Sequence, residues 1–247
     1  MSEHAADPVP VNANPVDSVP VSARPSAIWA IVPLRGLASA KTRLGPALDA
    51  AERLELVISM ARRTLGATRD ARWLAGTVLV TADPAAADLA RGYGAFALVQ
   101  RLPGLNAALR EGRDEAVRAG AEATIIIPID LPGISAEAID RLLDDVIPEV
   151  AQIGTGVDPS SPEPMIVALV PDRHGLGTNV LFTSPPGVIE PAFGDGSLAA
   201  HRAAAHAAGA RLFELGGPLV LDVDTEDDLH VAGSVGTEGR RGLGNAS

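Results

Sequence analysis

Asp222 and Asp224 stand two residues apart in the run Leu219-Val220-Leu221-Asp222-Val223-Asp224-Thr225. On an extended backbone that spacing places both carboxylates on one face. Two like charges so close are costly unless a cation lies between them or water screens them. The apolar flanks predict a buried strand and favour a hard cation such as Mg2+, which takes carboxylate, water and substrate phosphate oxygens. The competing reading is an exposed strand edge, followed by a helix that Thr225 and Asp228 cap. A third carboxylate, Asp130, follows an apolar run in Pro128-Ile129-Asp130-Leu131-Pro132-Gly133. It is placed for a hard metal ion, although Asp is also an ordinary turn residue. Opposite in sign, Arg35, Lys41 and Arg43 fall within the stretch Pro33–Leu44. Arg forks onto two phosphate oxygens and Lys acts as a point charge, so this loop suits phosphate unless it is merely a solvated basic turn. Neither GxxxxGK[ST] nor GxGxxG follows the first strand, which sets aside the Walker and dinucleotide loops.

Two glycine-rich stretches add candidate backbone contacts: Pro171–Asn179, and Phe193-Gly194-Asp195-Gly196-Ser197. Glycine lets a backbone approach a ligand, and Ser197 at a helix start leaves amides for an anion. His201 and His206 lie on that helix, but no HExxH or convergent His–carboxylate spacing supports zinc. No GxSxG elbow supports a serine hydrolase. His201 therefore reads as a helix-orienting or substrate-edge residue, not as a general base.

The elements that must position these groups alternate. Apolar runs at Ile28–Leu34, Thr77–Thr81, Ala95–Val99, Thr124–Ile129, Met165–Val170 and Leu219–Val223 predict strands. Asp49 and Glu52 have capping-box spacing and open a helix to about Leu65. Asp83-Pro84 starts a short helix, another runs from about Leu105 to Ala119, and Ser135 caps the next. Repeated strand–helix–strand order predicts a mostly parallel sheet covered on both faces, with ligands beyond the carboxyl ends of its strands. Prolines at 10, 15, 20 and 25 predict an unstructured tail over residues 1–27. Residues 28–232 then form one domain and the glycine-rich 233–247 a second tail.

The chain has 247 residues, 47% hydrophobic, 21% charged and only 3% aromatic, so its core must be aliphatic. A net charge of −11 argues against sequence-independent nucleic-acid binding. Without cysteine there is no disulfide or thiolate chemistry, and a cytoplasmic setting is expected. No signal-like or membrane-length apolar run is present.

Taken in order, AKTRL (Ala40–Leu44), GLNAAL (Gly104–Leu109), DLP (Asp130–Pro132), PDRHGLGTN (Pro171–Asn179), FGDGSLAAH (Phe193–His201) and DVDTEDDL (Asp222–Leu229) resemble one family. It is the phosphoenolpyruvate or 2-phospho-L-lactate guanylyltransferases of coenzyme F-420 biosynthesis (CofC/FbiD type). The ordered combination of GTN, FGxGSxxxH and DVDT is the specific part. The resemblance implies a single-domain, Rossmann-like α/β fold of the nucleotide-diphospho-sugar-transferase kind, binding GTP and Mg2+. In that family a phosphate oxygen of a phosphorylated three-carbon acid attacks the α-phosphorus of GTP, and diphosphate leaves. Bacterial members are associated with phosphoenolpyruvate, and archaeal ones with 2-phospho-L-lactate.

By position, the resemblance makes Asp130, Asp222 and Asp224 the metal ligands. Thr178, Gly194 and Ser197 would hold the acid, chiefly through backbone amides and hydroxyls. Lys41 and Arg43 would neutralise the triphosphate and form the catalytic set with Asp130. Pro33 and Leu34, through backbone atoms, together with Gly104 and Asn106, would take guanine and ribose. Two features depart from the family. Ile129 replaces a Gly before DLP, which would alter the turn holding Asp130, and residues 154–164 look inserted. The alternatives are a nucleotidyltransferase for a sugar phosphate or molybdopterin, or a non-catalytic nucleotide-binding module. Neither nucleic acid nor membrane is an expected partner. A hand-off of product to the next enzyme of the pathway stays open.

Overall fold

Strand β1 (Ile28–Leu34) is buried except at Trp29 and Pro33, which are half-buried. Its side chains alternate between two hydrophobic layers: Ile28 and Ala30 in one, Ile31 in the other. Such a strand reads as continuously apolar because both of its faces are covered. The computed structural model describes residues 27–37, 41, 44, 48–151, 165–223 and 228. The two expected tails, apart from Ala27, and the 154–164 insertion lie outside the described residues.

Around β1 stand β2 (Leu74–Thr81), β3 (Phe96–Val99), β4 (Ala123–Ile126), β5 (Ile166–Pro171), β6 (Thr178–Ser184) and β7 (Arg211–Glu214), in the order β3-β2-β1-β4-β6-β5-β7. All neighbouring pairs are parallel except β4–β6 and β5–β6, so β6 alone runs against the rest. The single-domain α/β fold with a mostly parallel mixed sheet is as expected. Helices α1 (Ala50–Asp70) and α4 (Ala136–Ala151) pack on one face. On the other lie α3 (Leu105–Arg118) and α5 (Ser197–Ala207), and α2 (Pro84–Gly92) joins α1 around a second cluster on the first face, with Val32 and Leu34.

The helix starts follow the local chemistry. Asp49 and Glu52 close the capping box of α1, Asp83 caps α2 with Pro84 at its first position, and the Ser135 hydroxyl accepts from Ala138 N–H at 3.1 Å. Helix α1 outruns the expected end at Leu65, because Ala67 and Thr68 are still buried.

Three strand expectations are corrected. Leu219–Val223 is a turn and irregular segment, not a strand. Its backbone bonds go elsewhere: Leu219 and Val220 carbonyls accept from the Asn179 side-chain amide, and Val223 N–H donates to the Asp130 carbonyl. The core still holds Leu219 and Val223, so its apolar character reflects burial without a ladder. Conversely, β6 and β7 were not foreseen as strands. The Pro171–Asn179 stretch is the turn of a β5–β6 hairpin, where the Asp172 carboxylate accepts from His174, Leu176 and Gly177 amides.

Candidate active site

Because β6 is reversed, its first residues, Thr178 and Asn179, lie beside the carboxyl end of β5. That is the end of a parallel sheet at which ligands bind. The other strand-end residues converge on this edge.

Lys41 lies in the β1–α1 connection with φ of 56°, and its Nζ is 2.5 Å from Asp130 Oδ2. The ammonium is 9% exposed and the carboxylate 21%, so the pair is shielded from bulk water and its attraction is strengthened. Asp130 sits in a tight turn after β4. Ile129, where the family is expected to carry Gly, buries its side chain in the cluster of Val32, Leu34, Val57 and Leu65. The bond from Val223 N–H to the Asp130 carbonyl (3.0 Å) ties this turn to the segment bearing Asp222. Gly133 adds a second tie: a Cβ there would stand 2.1 Å from the Pro218 carbonyl oxygen, so only glycine allows this approach. Asp130 and Asp222 thus sit on two stapled loops. Arg43 and Asp224 lie outside the described residues. Among the described residues, no group of three potential metal-ligating side chains forms.

Thr178 and Ser197 are both buried, and Thr178 N–H donates to Ser197 Oγ at 2.9 Å. Gly194 lies in the same loop, and its carbonyl accepts from Ser197 N–H at 3.1 Å. Two amides at the start of α5 are already engaged. Ser197 N–H serves Gly194, and Leu198 N–H donates to the Leu176 carbonyl at 3.2 Å. The Thr178 amide is likewise committed, so the polar capacity of Thr178 and Ser197 resides in their hydroxyls.

Asn106 takes a role its sequence position did not suggest. Its side-chain amide donates to the Phe193 carbonyl (3.0 Å), and its Oδ1 accepts from Phe193 N–H (2.8 Å), clamping the glycine-rich loop to α3. Pro33, Leu34 and Gly104 line a cavity of about 220 Å³ together with Arg35, Val80, Gln100, Pro103, Leu105 and Ala108.

Four further residues, none of them in the expected site set, hold the site together. Glu111, 7% exposed, accepts from Arg101 and Leu102 amides at 2.9 Å each and holds the loop before the cavity. The Arg101 amide, then that of Leu102, keep its carboxyl below the usual range against the opposing effect of burial. Asp83 caps α2 and also accepts from Leu37 N–H at 2.9 Å, tethering the loop that carries Lys41. Asn179 holds Leu219 and Val220 as described above. His201, wholly buried, bonds Thr178 Oγ1 through Nδ1 and Ala192 N–H through Nε2, each at 2.9 Å. Glu111 at i+10 from Arg101 gave no local signal, whereas a buried His on an alanine-rich helix did.

These contacts form a continuous rim. It runs from Lys41 to Asp130, through Val223 and Asn179 to Thr178, on by His201 to the Phe193 loop, and by Asn106 to α3 and the cavity. Loops at the ends of β1, β3, β4 and β5 and at the start of β6 all contribute to it.

The comparisons agree with this architecture. A solved protein of Desulfovibrio desulfuricans G20, assigned as a nucleotide-diphospho-sugar transferase, superposes with a TM-score of 0.57 at 17% identity, covering 83% of this chain and 86% of that one. The 4-diphosphocytidyl-2C-methyl-D-erythritol synthase of Anaerococcus prevotii superposes with a TM-score of 0.56 at 10% identity, over 86% and 96% of the two chains. At these identities the likeness concerns the fold. Among sequence relatives, the phosphoenolpyruvate guanylyltransferase of Sphaerobacter thermophilus is 42% identical over 81% of this chain and 89% of its own. That of Rubrobacter xylanophilus is 38% identical over 82% and 91%. The family model described as guanylyl transferase CofC like matches residues 28–237. The chain therefore belongs to the CofC-like guanylyl transferase family and is a nucleotidyltransferase.

Proposed function

We propose that this chain transfers GMP from GTP to phosphoenolpyruvate, with 2-phospho-L-lactate as the related acceptor, releasing diphosphate, in coenzyme F-420 biosynthesis. The observation that carries this reading is the continuous rim, which sets a lysine–carboxylate pair, a hydroxyl pair and a cavity along one sheet edge. A phosphate oxygen of the acid forms a bond to the α-phosphorus of GTP, and the bond from that phosphorus to the bridging oxygen of the diphosphate breaks. The nucleophile is already ionised at neutral pH, so no protein group need remove a proton. Positioning and charge neutralisation are what the protein must supply.

In this reading Thr178 and Ser197 donate hydroxyl hydrogens to the acid's oxyanions, with Gly194 allowing close approach of the loop. The cavity beside Pro33, Leu34 and Gly104 takes the guanine, while Asn106 keeps the Phe193 loop in place. Lys41 and Arg43 neutralise the triphosphate. Asp130 and Asp222, with Asp224, would hold Mg2+. The donor set fits, being carboxylate oxygens on two loops stapled through their backbones, and Mg2+ needs only one or two carboxylates beside substrate phosphates. When bound, that ion would offset charge on the reacting phosphates.

The test is diphosphate release from GTP, with Mg2+, against phosphoenolpyruvate, 2-phospho-L-lactate and a sugar phosphate. Release with a three-carbon acid supports the proposal, and release only with the sugar phosphate overturns it. Asp130→Asn, Asp222→Asn and Asp224→Asn should each lower turnover by about a hundredfold or more with the fold intact. Wild-type rates in the folded variants would remove the metal assignment.

A further inference from the structure

His201 is the most deeply buried polar side chain of the site, and the bonds around it define its protons. Ala192 N–H can only donate, so Nε2 of His201 must present its lone pair to it (2.9 Å). A neutral ring then carries its hydrogen on Nδ1, which donates to Thr178 Oγ1 (2.9 Å). The Phe193 ring packs edge-on at 5.0 Å between centroids, and burial disfavours the charged imidazolium. Both nitrogens are thus engaged, which excludes this ring as a general base while it holds this arrangement.

The consequence falls on Thr178. Its oxygen accepts from His201, so its own hydroxyl hydrogen must be directed away from the ring. Ser197 Oγ is constrained in the same way, since it accepts from Thr178 N–H. We infer that His201 is a positioning residue that makes the Thr178 hydroxyl an obligatory donor toward an oxyanion of the phosphorylated acid. By holding Ala192, it also joins the glycine-rich loop to the start of β6. This rests on the acid-binding reading given above. It extends that reading from which residues bind to what orients them.

The variants separate the two bonds of the ring. The Asn amide mimics the Nδ1 side and can still donate to Thr178, whereas the Gln amide mimics the Nε2 side and cannot. His201→Gln and His201→Phe should raise KM for phosphoenolpyruvate by about tenfold or more, with KM for GTP changed less than about twofold. His201→Asn should recover much of the loss. Thr178→Val should match His201→Gln, and the double variant should lose little more. Nitrogen-15 spectra of the histidine-labelled wild-type protein should show Nδ1 protonated and Nε2 bare, a readout that needs no turnover. Folded His201→Gln and His201→Phe proteins with unchanged acid KM, or the opposite tautomer in the spectra, would overturn the inference alone. Wild-type protein that turns over no three-carbon acid would instead overturn the reading beneath it.

Discussion

At the residue scale, a buried imidazole has a thermodynamic signature. Burial pushes the His201 pKa from 6.5 down to about 4. The unfolded chain therefore binds more protons than the folded one between these values, and stability rises with pH across that window. The contribution is fully present above about pH 6.5 and is lost as pH falls toward 4. It amounts to up to about 3 kcal/mol. Urea unfolding of wild type and His201→Gln should show the wild type losing more stability between pH 7 and pH 4.5. Parallel losses in the two proteins would mean that the ring is not neutral and buried as described. Lys41, by contrast, works through reach. Its residue accepts a left-handed backbone, which costs about 1–2 kcal/mol for a non-glycine residue. The close pair with Asp130 is what that conformation gains.

At the element scale, the site depends on loops held by side chains of neighbouring strands and helices. Asn179, the second residue of β6, carries two bonds, at 3.0 and 2.8 Å, that stand in for a missing strand ladder at Leu219 and Val220. Asn179→Ala would leave these carbonyls without the amide and should cost about 1–3 kcal/mol in denaturant unfolding. Because Asp222 follows two residues later, turnover should fall as well, while GTP binding is retained. A destabilised variant with unimpaired turnover would show that Asp222 is held in place by other contacts. Much at this scale was legible in advance. Asp49, Asp83 and Ser135 announce their helices, since a cap is a local bond between residues two or three apart. The direction of β6 was not legible, because an apolar run carries no mark of whether its neighbours are parallel. The apolar run at Leu219–Val223 misled for a related reason: burial and strand pairing leave the same composition.

At the scale of the whole molecule, every ladder among the described residues lies downstream of the N-terminal proline-spaced segment. Strand β1 begins at Ile28, and the Ala27 carbonyl accepts from Glu122 N–H. The fixed proline spacing of that segment motivates the prediction that removing residues 1–25 leaves thermal stability and the rate of diphosphate release within about twofold of the full chain. A loss of activity in the trimmed protein would assign the segment a role beyond the fold. None of the described helices is long and apolar enough to cross a membrane.

By itself the sequence determined the α/β class, the capped helix starts, the aliphatic core and the family. It also supplied the chemical types at the strand ends. These are encoded by near neighbours, by periodicity, or by motifs in a fixed order. Only the tertiary structure decided that β6 runs backward and so brings Thr178 and Asn179 to the ligand edge. It likewise decided that Asn106 clamps a loop, that Glu111 holds another, and that Val223 and Gly133 staple two carboxylate loops together. The physical reason is that buried donors and acceptors must be satisfied by whatever partners folding brings near, and those partners stand from 9 residues away (Leu102 and Glu111) to 93 (Asp130 and Val223) along the chain.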